Sequence, residues 1–209
     1  MSGWQETEYL RRRERLLRAR AALLVIDIQE RLAAAMPPEI AAQVIKNTTI
    51  LIAGAARLGI PIVVSQQYPN GLGPTVPELA SALGEAEQKH GAAVYRFDKI
   101  EFSAAAAPAF HALPPAEKIG AMMTREQWIV CGMETHVCVY QTVRDLVGPA
   151  CAVHVVADAA CSRTKANWRT GLALAREVGA LVTSTEACVF DLLGQAGTDE
   201  FKAISKLVK

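Results

Sequence analysis

Short, almost uninterrupted apolar segments alternate along the chain with longer segments whose apolar residues recur every three or four positions. The apolar segments lie at 22–28, 60–66, 92–97, 127–132, 152–158 and 180–184. Because most of them carry apolar residues at consecutive positions, both faces of the sheet that they form should be covered, as in parallel α/β folds. The pattern therefore predicts a six-stranded, mostly parallel sheet.

Three of the longer segments have the periodicity of amphipathic helices. In the first, apolar residues recur from Ile40 to Leu58, after two prolines and before Gly59, which mark its start and its end. The other two are predicted at 135–147 and 164–178. The alternation of strand and helix predicts one domain over residues 1–209 with a three-layer α/β/α, doubly wound fold. Residues 68–79 are rich in Gly and Pro and predict an irregular loop over one end of the sheet.

The first twenty residues combine several arginines with a few leucines. They predict a lead-in segment, helical over 5–20, with Leu10, Leu16 and Leu17 packed against the body and the arginines in water. The apolar run that follows is too short for a signal-peptide core and ends in Asp27. No run reaches the length of a membrane span.

The cysteines and the net charge predict the cellular compartment of the protein and the class of its binding partner. The five cysteines are odd in number and form no Cys-x-x-Cys pair, which is typical of reduced intracellular thiols, so we expect a cytoplasmic protein. Lys plus Arg is 22 against Asp plus Glu 21, giving a net charge of +1. This balance gives no electrostatic reason to expect nucleic acid or an acidic membrane as partner. A small molecule or another copy of the chain is the expected partner.

Reactive side chains follow four of the predicted strands, namely Asp27, Lys99, Cys138 and Asp158. In doubly wound sheets, ligands bind at the carboxyl ends of the strands, near the point where the strand order reverses. Cys138 lies early in the predicted helix after the fourth strand, where the helix dipole favours an anion and should lower the thiol pKa. The position therefore predicts a nucleophile.

A cysteine in an apolar chain is otherwise most often a small buried hydrophobic residue. We expect that role for the remaining four cysteines, which are Cys131, Cys151, Cys161 and Cys188.

The segments "LLVIDIQ", "RFDKIEFSA" and "CGMETHVCVYQT" together resemble the isochorismatase-like cysteine hydrolases, a family that includes nicotinamidases, N-carbamoylsarcosine amidases and isochorismatases. The resemblance runs from about residue 20 to the C-terminus and implies the Rossmann-like fold of that family. It is closest to the isochorismatase domain-containing subgroup, through "QQYPNGLGPTVPEL", "HVVADAACSR" and the "FDLLG...EFKAISKLVK" tail.

The resemblance implies a catalytic triad of Asp27, Lys99 and Cys138. It also implies a cis peptide between Met133 and Glu134, with the N–H groups of Glu134 and Cys138 forming an oxyanion hole. The implied reaction is hydrolysis of an amide-type carbon–nitrogen bond of a small molecule through a thioester, without a cofactor. Members of the family commonly assemble as dimers, tetramers or larger homo-oligomers, so self-assembly is expected here.

Four residues near the triad positions are candidates for substrate binding. Gln67 and Tyr68 follow the second strand, and Phe102 follows the lysine motif, so all three are predicted to form pocket walls. Thr135 either caps the helix or touches substrate, and capping is the preferred interpretation.

Two neighbouring residues have competing interpretations. His136 lies two positions from Cys138, and because residues two apart on a helix do not face each other, we expect a structural or pocket-edge role rather than a Cys-His dyad. Asp158 could rival Asp27 as the base, but an Asp before "AACSRTK" more often fixes a loop or a helix start.

The chain departs from two branches of the family. Nicotinamidases carry an Asp-x-His pattern and further histidines after the second strand, whereas this chain reads "SQQYPNGLGP" there. None of its four histidines has ligand spacing to another, so we expect no metal and no nicotinamidase activity. Isochorismatases proper lack the cysteine, so Cys138 argues against their vinyl-ether chemistry.

Two rival functions belong to other classes. A nucleotide-dependent oxidoreductase would need a Gly-rich turn after the first strand, and "IDIQERLA" has none. A non-catalytic binding or scaffold module on the same fold stays open, because residue types alone do not demonstrate turnover.

Overall fold

A single six-stranded sheet forms the centre of the protein, for which a computed structural model describes residues 15–113, 126–148 and 151–208. Its strands are β1 (Ala21–Ile26), β2 (Ile62–Gln67), β3 (Val94–Lys99), β4 (Gln127–Met133), β5 (Ala152–Cys161) and β6 (Leu181–Thr183). They lie in the order β3-β2-β1-β4-β5-β6, and every pairing is parallel. The predicted doubly wound α/β sheet is confirmed, and the described part is parallel throughout.

Helices cover both faces of this sheet and give the three layers. They are α1 (Glu30–Ala34), α2 (Pro38–Arg57), α3 (Pro69–Leu72), α4 (Pro77–His90), α5 (Pro108–His111), α6 (Tyr140–Leu146), α7 (Lys165–Glu177), α8 (Thr185–Leu193) and α9 (Asp199–Ile204). A π-helical turn, Thr135–Val139, leads into α6. One hydrophobic core lies between the sheet and α2, α4, α8 and α9, and a second lies under α5, α6 and α7.

Helix boundaries follow the signals in the sequence. Helix α2 has proline in its first turn, where the missing N–H has no intrahelical partner to lose, and Gly59 lies just past its end at φ 66°. Helix α7 begins after Thr164, whose hydroxyl accepts a hydrogen bond from the Asn167 N–H.

Two predictions about local structure were wrong. Residues 68–79 are not an irregular loop throughout, because Pro69 and Pro77 occupy first-turn positions of α3 and α4, where a fixed φ favours a helix start. Residues 15–17 are irregular and residues 18–20 form a turn rather than a helix, although Leu16 is buried as expected. The rest of the predicted lead-in helix, including Leu10, lies outside the described residues.

The order of the strands places a switch point between β1 and β4. From β1 the chain builds outward through β2 to β3, and it then returns to β4 on the other side of β1. Gly132 is required at this point because its φ is +133° and an added Cβ would lie 2.0 Å from the Ile26 carbonyl oxygen. The ends of β1 and β4 therefore approach closely, and they carry Asp27 and the turn with Cys138.

None of the described helices is long and apolar enough to span a membrane.

Candidate active site

A buried ion pair joins the ends of β1 and β3. The Nζ of Lys99 lies 2.6 Å from Oδ2 of Asp27, and both side chains are 0% exposed. The ammonium group also donates to Oε1 of Gln67 at 2.7 Å and approaches the carbonyl oxygens of Glu101 and Phe102 at 3.2 Å. Two charges taken out of water are stable only when polar groups satisfy them. The partners of Lys99 meet this requirement, and they stabilise its ammonium charge inside the protein.

Asp27 is fixed from a second side by β2. The hydroxyl of Ser65 donates to Oδ1 of Asp27 at 2.8 Å, and the Asp27 N–H donates to the Ser65 carbonyl at 3.2 Å. Asp27 has φ 53°, a left-handed conformation that is uncommon outside glycine and concentrates at functional sites. The carboxylate is therefore held by an ammonium on one oxygen and a hydroxyl on the other.

Cys138 completes the cluster from the π-helical turn after β4. Its thiol lies close enough to the Asp27 carboxylate for each group to shift the pKa of the other, and the residue is 6% exposed. The structure thus brings together the three side chains that the sequence predicts as a triad, although they lie on three separate elements.

The expected lowering of the Cys138 pKa was wrong. Burial, reinforced by the negative charge of Asp27, raises the pKa of the Cys138 thiol to about 12, and the nearby Lys99 only partly opposes this. The prediction weighed the helix terminus alone, without the loss of water around sulfur. The resting thiol is therefore protonated at neutral pH.

The same burial changes the basicity of the carboxylate. Burial raises the pKa of Asp27 above its ordinary value, while the charge of Lys99, the hydrogen bonds from Lys99 and Ser65, and the Cys138 thiol act against that rise. A carboxylate with a raised pKa is a stronger base than one at the surface. Proton transfer from Cys138 to Asp27 is favoured by this change.

The turn that carries Cys138 has the cis peptide between Met133 and Glu134 that the resemblance implied. Oε2 of Glu134 accepts hydrogen bonds from the backbone N–H and the Nε of Arg163, at 3.0 and 3.2 Å. The preferred capping role of Thr135 was wrong, because Glu134 holds the N-cap position and no side chain caps the turn. The Thr135 hydroxyl is buried without a hydrogen-bond partner among the described residues.

Two further residues, which the sequence did not single out, fix this turn. The Thr142 hydroxyl donates to the Cys138 carbonyl at 2.6 Å and accepts from the Ala104 N–H at 2.8 Å, so it links the Cys138 turn to the loop after Lys99. Gly171 of α7 packs against the turn so closely that an added Cβ would lie 2.6 Å from the Thr135 backbone. Two features of the sequence could have indicated these residues. One is a hydroxyl four positions after Cys138, and the other is a glycine inside a helical pattern.

The predicted substrate-binding residues divide into two kinds. The side chain of Gln67 is occupied, since Oε1 accepts from Lys99 and Nε2 donates to the Ile100 carbonyl at 2.9 Å, which makes it a support for the ion pair. Tyr68 and Phe102 are each 55% exposed beside the ion pair. Their substrate-binding role stays a prediction, as does that of Thr135.

The neighbouring acid and histidine have structural contacts. Oδ1 of Asp158 accepts hydrogen bonds from the N–H and hydroxyl of Thr185 at 2.8 and 2.9 Å, so Asp158 fixes the start of α8 as expected. Nδ1 of His136 lies 3.0 Å from the Ser162 hydroxyl.

The four cysteines outside the cluster are all at least partly buried. Cys131, Cys161 and Cys188 are buried, while Cys151 is half-buried. The described residues contain no group of three or more His, Cys, Asp or Glu side chains able to hold a metal ion.

Comparison with known proteins places this geometry in a family. The model of the isochorismatase domain matches residues 21–187, and the chain belongs to the isochorismatase-like hydrolase family. The chain is 38% identical over 200 residues to the secreted isochorismatase effector Isc1 of Phytophthora sojae, covering 93% of this chain and 87% of that protein. It is 33% identical over 169 residues to isochorismatase domain-containing protein 2 of Bos taurus, covering 80% and 74%. These relatives confirm the predicted subgroup.

Solved structures show the same fold. The MAR1 ribonuclease of Caenorhabditis elegans superimposes with a TM-score of 0.78 at 32% sequence identity, covering 93% of this chain and 92% of that one. The YcaC gene product of Escherichia coli, an octameric hydrolase of unknown specificity, has a TM-score of 0.75 at 20% identity, covering 92% and 90%.

Proposed function

We propose that this hydrolase cleaves an amide-type carbon–nitrogen bond of a small molecule through a thioester on Cys138. The observation that carries the proposal is that one buried carboxylate, Asp27, is paired with the Lys99 ammonium and interacts electrostatically with the Cys138 thiol. A nucleophile, a base within hydrogen-bonding reach and a third group that fixes the base are the parts that nucleophilic catalysis requires.

In the first half of the reaction, Asp27 takes the thiol proton while sulfur attacks the carbonyl carbon. The carbon–sulfur bond forms, and the electron pair of the carbonyl moves to oxygen. The backbone N–H groups of Glu134 and Cys138, with the charge of Lys99, stabilise that oxyanion. The electron pair then returns, the carbon–nitrogen bond breaks, and Asp27 delivers its proton to the departing amine.

In the second half, water hydrolyses the thioester. Asp27 takes a proton from the water as it attacks the acyl carbon, the carbon–sulfur bond breaks, and the proton passes to sulfur. The carboxylate and the thiol are regenerated with a carboxylic acid as product. Because the raised pKa of Cys138 opposes ionisation in the resting site, proton transfer and attack should be coupled rather than separate.

The slight exposure of Cys138 favours a compact substrate. Tyr68 and Phe102 are proposed to contact its body, and the unpartnered Thr135 hydroxyl to contact a polar group on it. A turnover screen over small primary amides, carbamoyl compounds and cyclic imides is the direct test. Cys138→Ala should abolish turnover of any substrate found, while Cys151→Ala, which changes a half-buried thiol, should leave it intact.

RNA is the competing substrate class, because one similar structure is that of a ribonuclease. The net charge of +1 supplies little attraction for a polyanion, and the side chains of Asp27 and Lys99 are fully buried. RNA cleavage that survives Cys138→Ala, with no turnover of any amide, would replace the proposal. Binding without turnover of either class would favour the non-catalytic module.

Self-assembly is a further part of the proposal. The YcaC protein, which shares the fold, is octameric, and three large apolar side chains are exposed beside the ion pair here, namely Tyr68, Ile100 and Phe102. Exposed apolar clusters of this kind mark interaction surfaces. Light scattering should show a homo-oligomer, and a monomer at all concentrations would contradict this.

A further inference from the structure

The unequal lengths of the last two strands create a cavity away from the catalytic cluster. Strand β5 has ten residues and β6 only three, and β6 pairs with β5 only from His154 to Val156. Beyond Val156, the outer edge of β5 therefore has no strand beside it among the described residues. Helices α2 and α7 flank this edge and enclose a cavity of about 550 Å³ that Asp27, Lys99 and Cys138 do not line.

The walls of the cavity are mostly apolar. They comprise Pro37, Ile40 and Val44 of the α2 region, Ala160 and Cys161 of β5, and Trp168 of α7. Ile40 is 42% exposed, so part of its apolar surface is available to a ligand in the cavity. The Nε1 of Trp168 donates to the Ala157 carbonyl at 3.1 Å, so the indole ring is fixed as part of the wall.

The hydrogen bonds along the open edge of β5 favour a small molecule over an added strand. The Ala157 carbonyl already accepts from Trp168, and the Asp158 carbonyl accepts from Nδ2 of Asn47 at 2.7 Å. An added strand needs such carbonyl groups free for pairing. A cavity of several hundred Å³ with apolar walls and a few polar groups is, by contrast, the usual form of a small-molecule site.

The cavity offers a ligand one cation that is not engaged by the described part of the protein. Lys165 lines the cavity and is exposed, and it forms no ion pair with any described residue. Asp158 also lines the cavity, and Oδ1 of its carboxylate accepts two hydrogen bonds from Thr185 at the start of α8. A ligand with a single carboxylate can therefore pair with Lys165, provided that its charge lies at the Lys165 end of the cavity.

We propose that this cavity is a second ligand site, which binds a flat aromatic molecule carrying one carboxylate. The aromatic body packs against Trp168 and the aliphatic walls, and the carboxylate pairs with Lys165. This site is separate from the catalytic cluster, and binding to it does not depend on the proposed reaction.

The experiment is isothermal titration calorimetry of the full chain with 2-naphthoate and, as a neutral analogue, 2-naphthalenemethanol. Lys165→Met should weaken naphthoate binding by about tenfold, the effect of one charge-assisted hydrogen bond, and leave binding of the alcohol within about twofold. Lys46→Met, on an exposed lysine of α2 outside the cavity, should change neither. Ile40→Glu, at an exposed position that tolerates charge, should weaken naphthoate more than the alcohol.

Cys138→Ala and Phe102→Ala provide the remaining control, because they change the catalytic cluster and its exposed wall, lie outside the cavity and should leave naphthoate affinity unchanged. Loss of binding in either variant would place naphthoate at the catalytic cluster and overturn the proposal. The proposal would also be overturned if the affinity for naphthoate were unchanged in both Lys165→Met and Ile40→Glu, or if naphthoate did not bind at millimolar concentration.

Discussion

Two buried regions of the molecule hold thiols with similar acidity and different chemistry. Burial raises the pKa of Cys131 and Cys188, in the core between the sheet and α8, to about 12, and the pKa of Cys138 at the end of β4 rises to the same value. Cys138 alone among these three interacts with a carboxylate that is itself paired with an ammonium. The contrast teaches that the partner of a thiol, rather than its resting pKa, distinguishes a nucleophile from a core residue.

The two regions also differ in how buried polar groups are satisfied. At the candidate active site, Asp27 and Lys99 have several partners each, including Ser65 and Gln67. In the other region, Nε2 of His154 is buried without a hydrogen-bond partner among the described residues. The first region can hold charge inside the protein, whereas the second holds its histidine neutral.

The largest effect should come from removing the base. Asp27→Asn keeps the size of the side chain but cannot take the Cys138 proton, so turnover should fall by about 10³-fold or more. Steady-state kinetics on a substrate from the amide screen measures this. The matched control is Asp98→Asn, since Asp98 is exposed and its carboxylate accepts a hydrogen bond from the Gln66 side chain rather than from the catalytic cluster, and it should keep nearly full activity. Equal losses of turnover in both variants would contradict the role of Asp27 as the base.

Breaking the buried pair from the other side should destabilise the fold as well as stop the reaction. Lys99→Met leaves the buried Asp27 carboxylate unpaired, which should lower the free energy of unfolding by about 4 kcal/mol. Arg96→Met breaks the exposed Arg96–Glu87 pair and should cost less than about 1 kcal/mol. Urea denaturation at pH 7 compares them, and similar losses would show that burial of the first pair has no energetic consequence.

The unpartnered histidine should make stability depend on pH. Burial lowers the pKa of His154 to about 4, so the folded state keeps the ring neutral while the unfolded state takes up a proton near the usual value of about 6.5. Stability from this group is therefore complete above pH 6.5 and is lost as the pH falls toward 4, by about 3 kcal/mol in total.

The measurement is the difference in urea midpoint between pH 7 and pH 4.5. His154→Gln should reduce this difference, and His111→Gln, which changes an exposed histidine, should not. A pH dependence that persists in full after His154→Gln would show that other groups cause it.

The smallest effect concerns the link between the two loops of the site. Thr142→Val removes the hydroxyl that joins Cys138 to Ala104, and the buried N–H left unpaired should cost about 1–3 kcal/mol of stability. Turnover should fall because Cys138 moves relative to Lys99. Thr142→Ser keeps the hydroxyl and should retain most of the stability and most of the turnover. If the serine variant loses as much as the valine variant, the role of Thr142 is packing rather than hydrogen bonding.

The sequence predicted the fold well because the relevant signal is local. Consecutive apolar residues mark all six strands, and Pro38 and Gly59 mark the ends of α2. The predictions failed at residues 68–79, where prolines read as loop signals begin two helices instead. Strand β5 also runs on to Cys161, three residues beyond its predicted end, because Ala and Cys carry no strong strand or turn signal.

The sequence predicted which residues form the candidate site, but it did not predict their hydrogen-bond partners or the pKa of Cys138. Asp27 and Cys138 follow strands and Lys99 ends one, and parallel topology brings such positions to one edge. The family resemblance, rather than position, separated these three residues from Asp158.

The contacts of Ser65 with Asp27 and of Thr142 with Ala104 depend on side-chain geometry between distant segments, which no spacing in the sequence encodes. The direction of the Cys138 pKa shift failed for a related reason, because burial is a property of the assembled fold.

The most direct test of the central claim is to find the acyl group on sulfur. A turnover reaction with an amide substrate is quenched in acid during the steady state, and the protein is cleaved after glutamate, which separates Cys131 from the peptide 135–177. Fragmentation of that peptide in the mass spectrometer distinguishes Cys138 from Cys151 and Cys161. The account predicts the mass of the acyl group on the Cys138 peptide, and its accumulation when deacylation is slowed. Continued turnover with no acyl group on Cys138, or with the group on another cysteine, would contradict it.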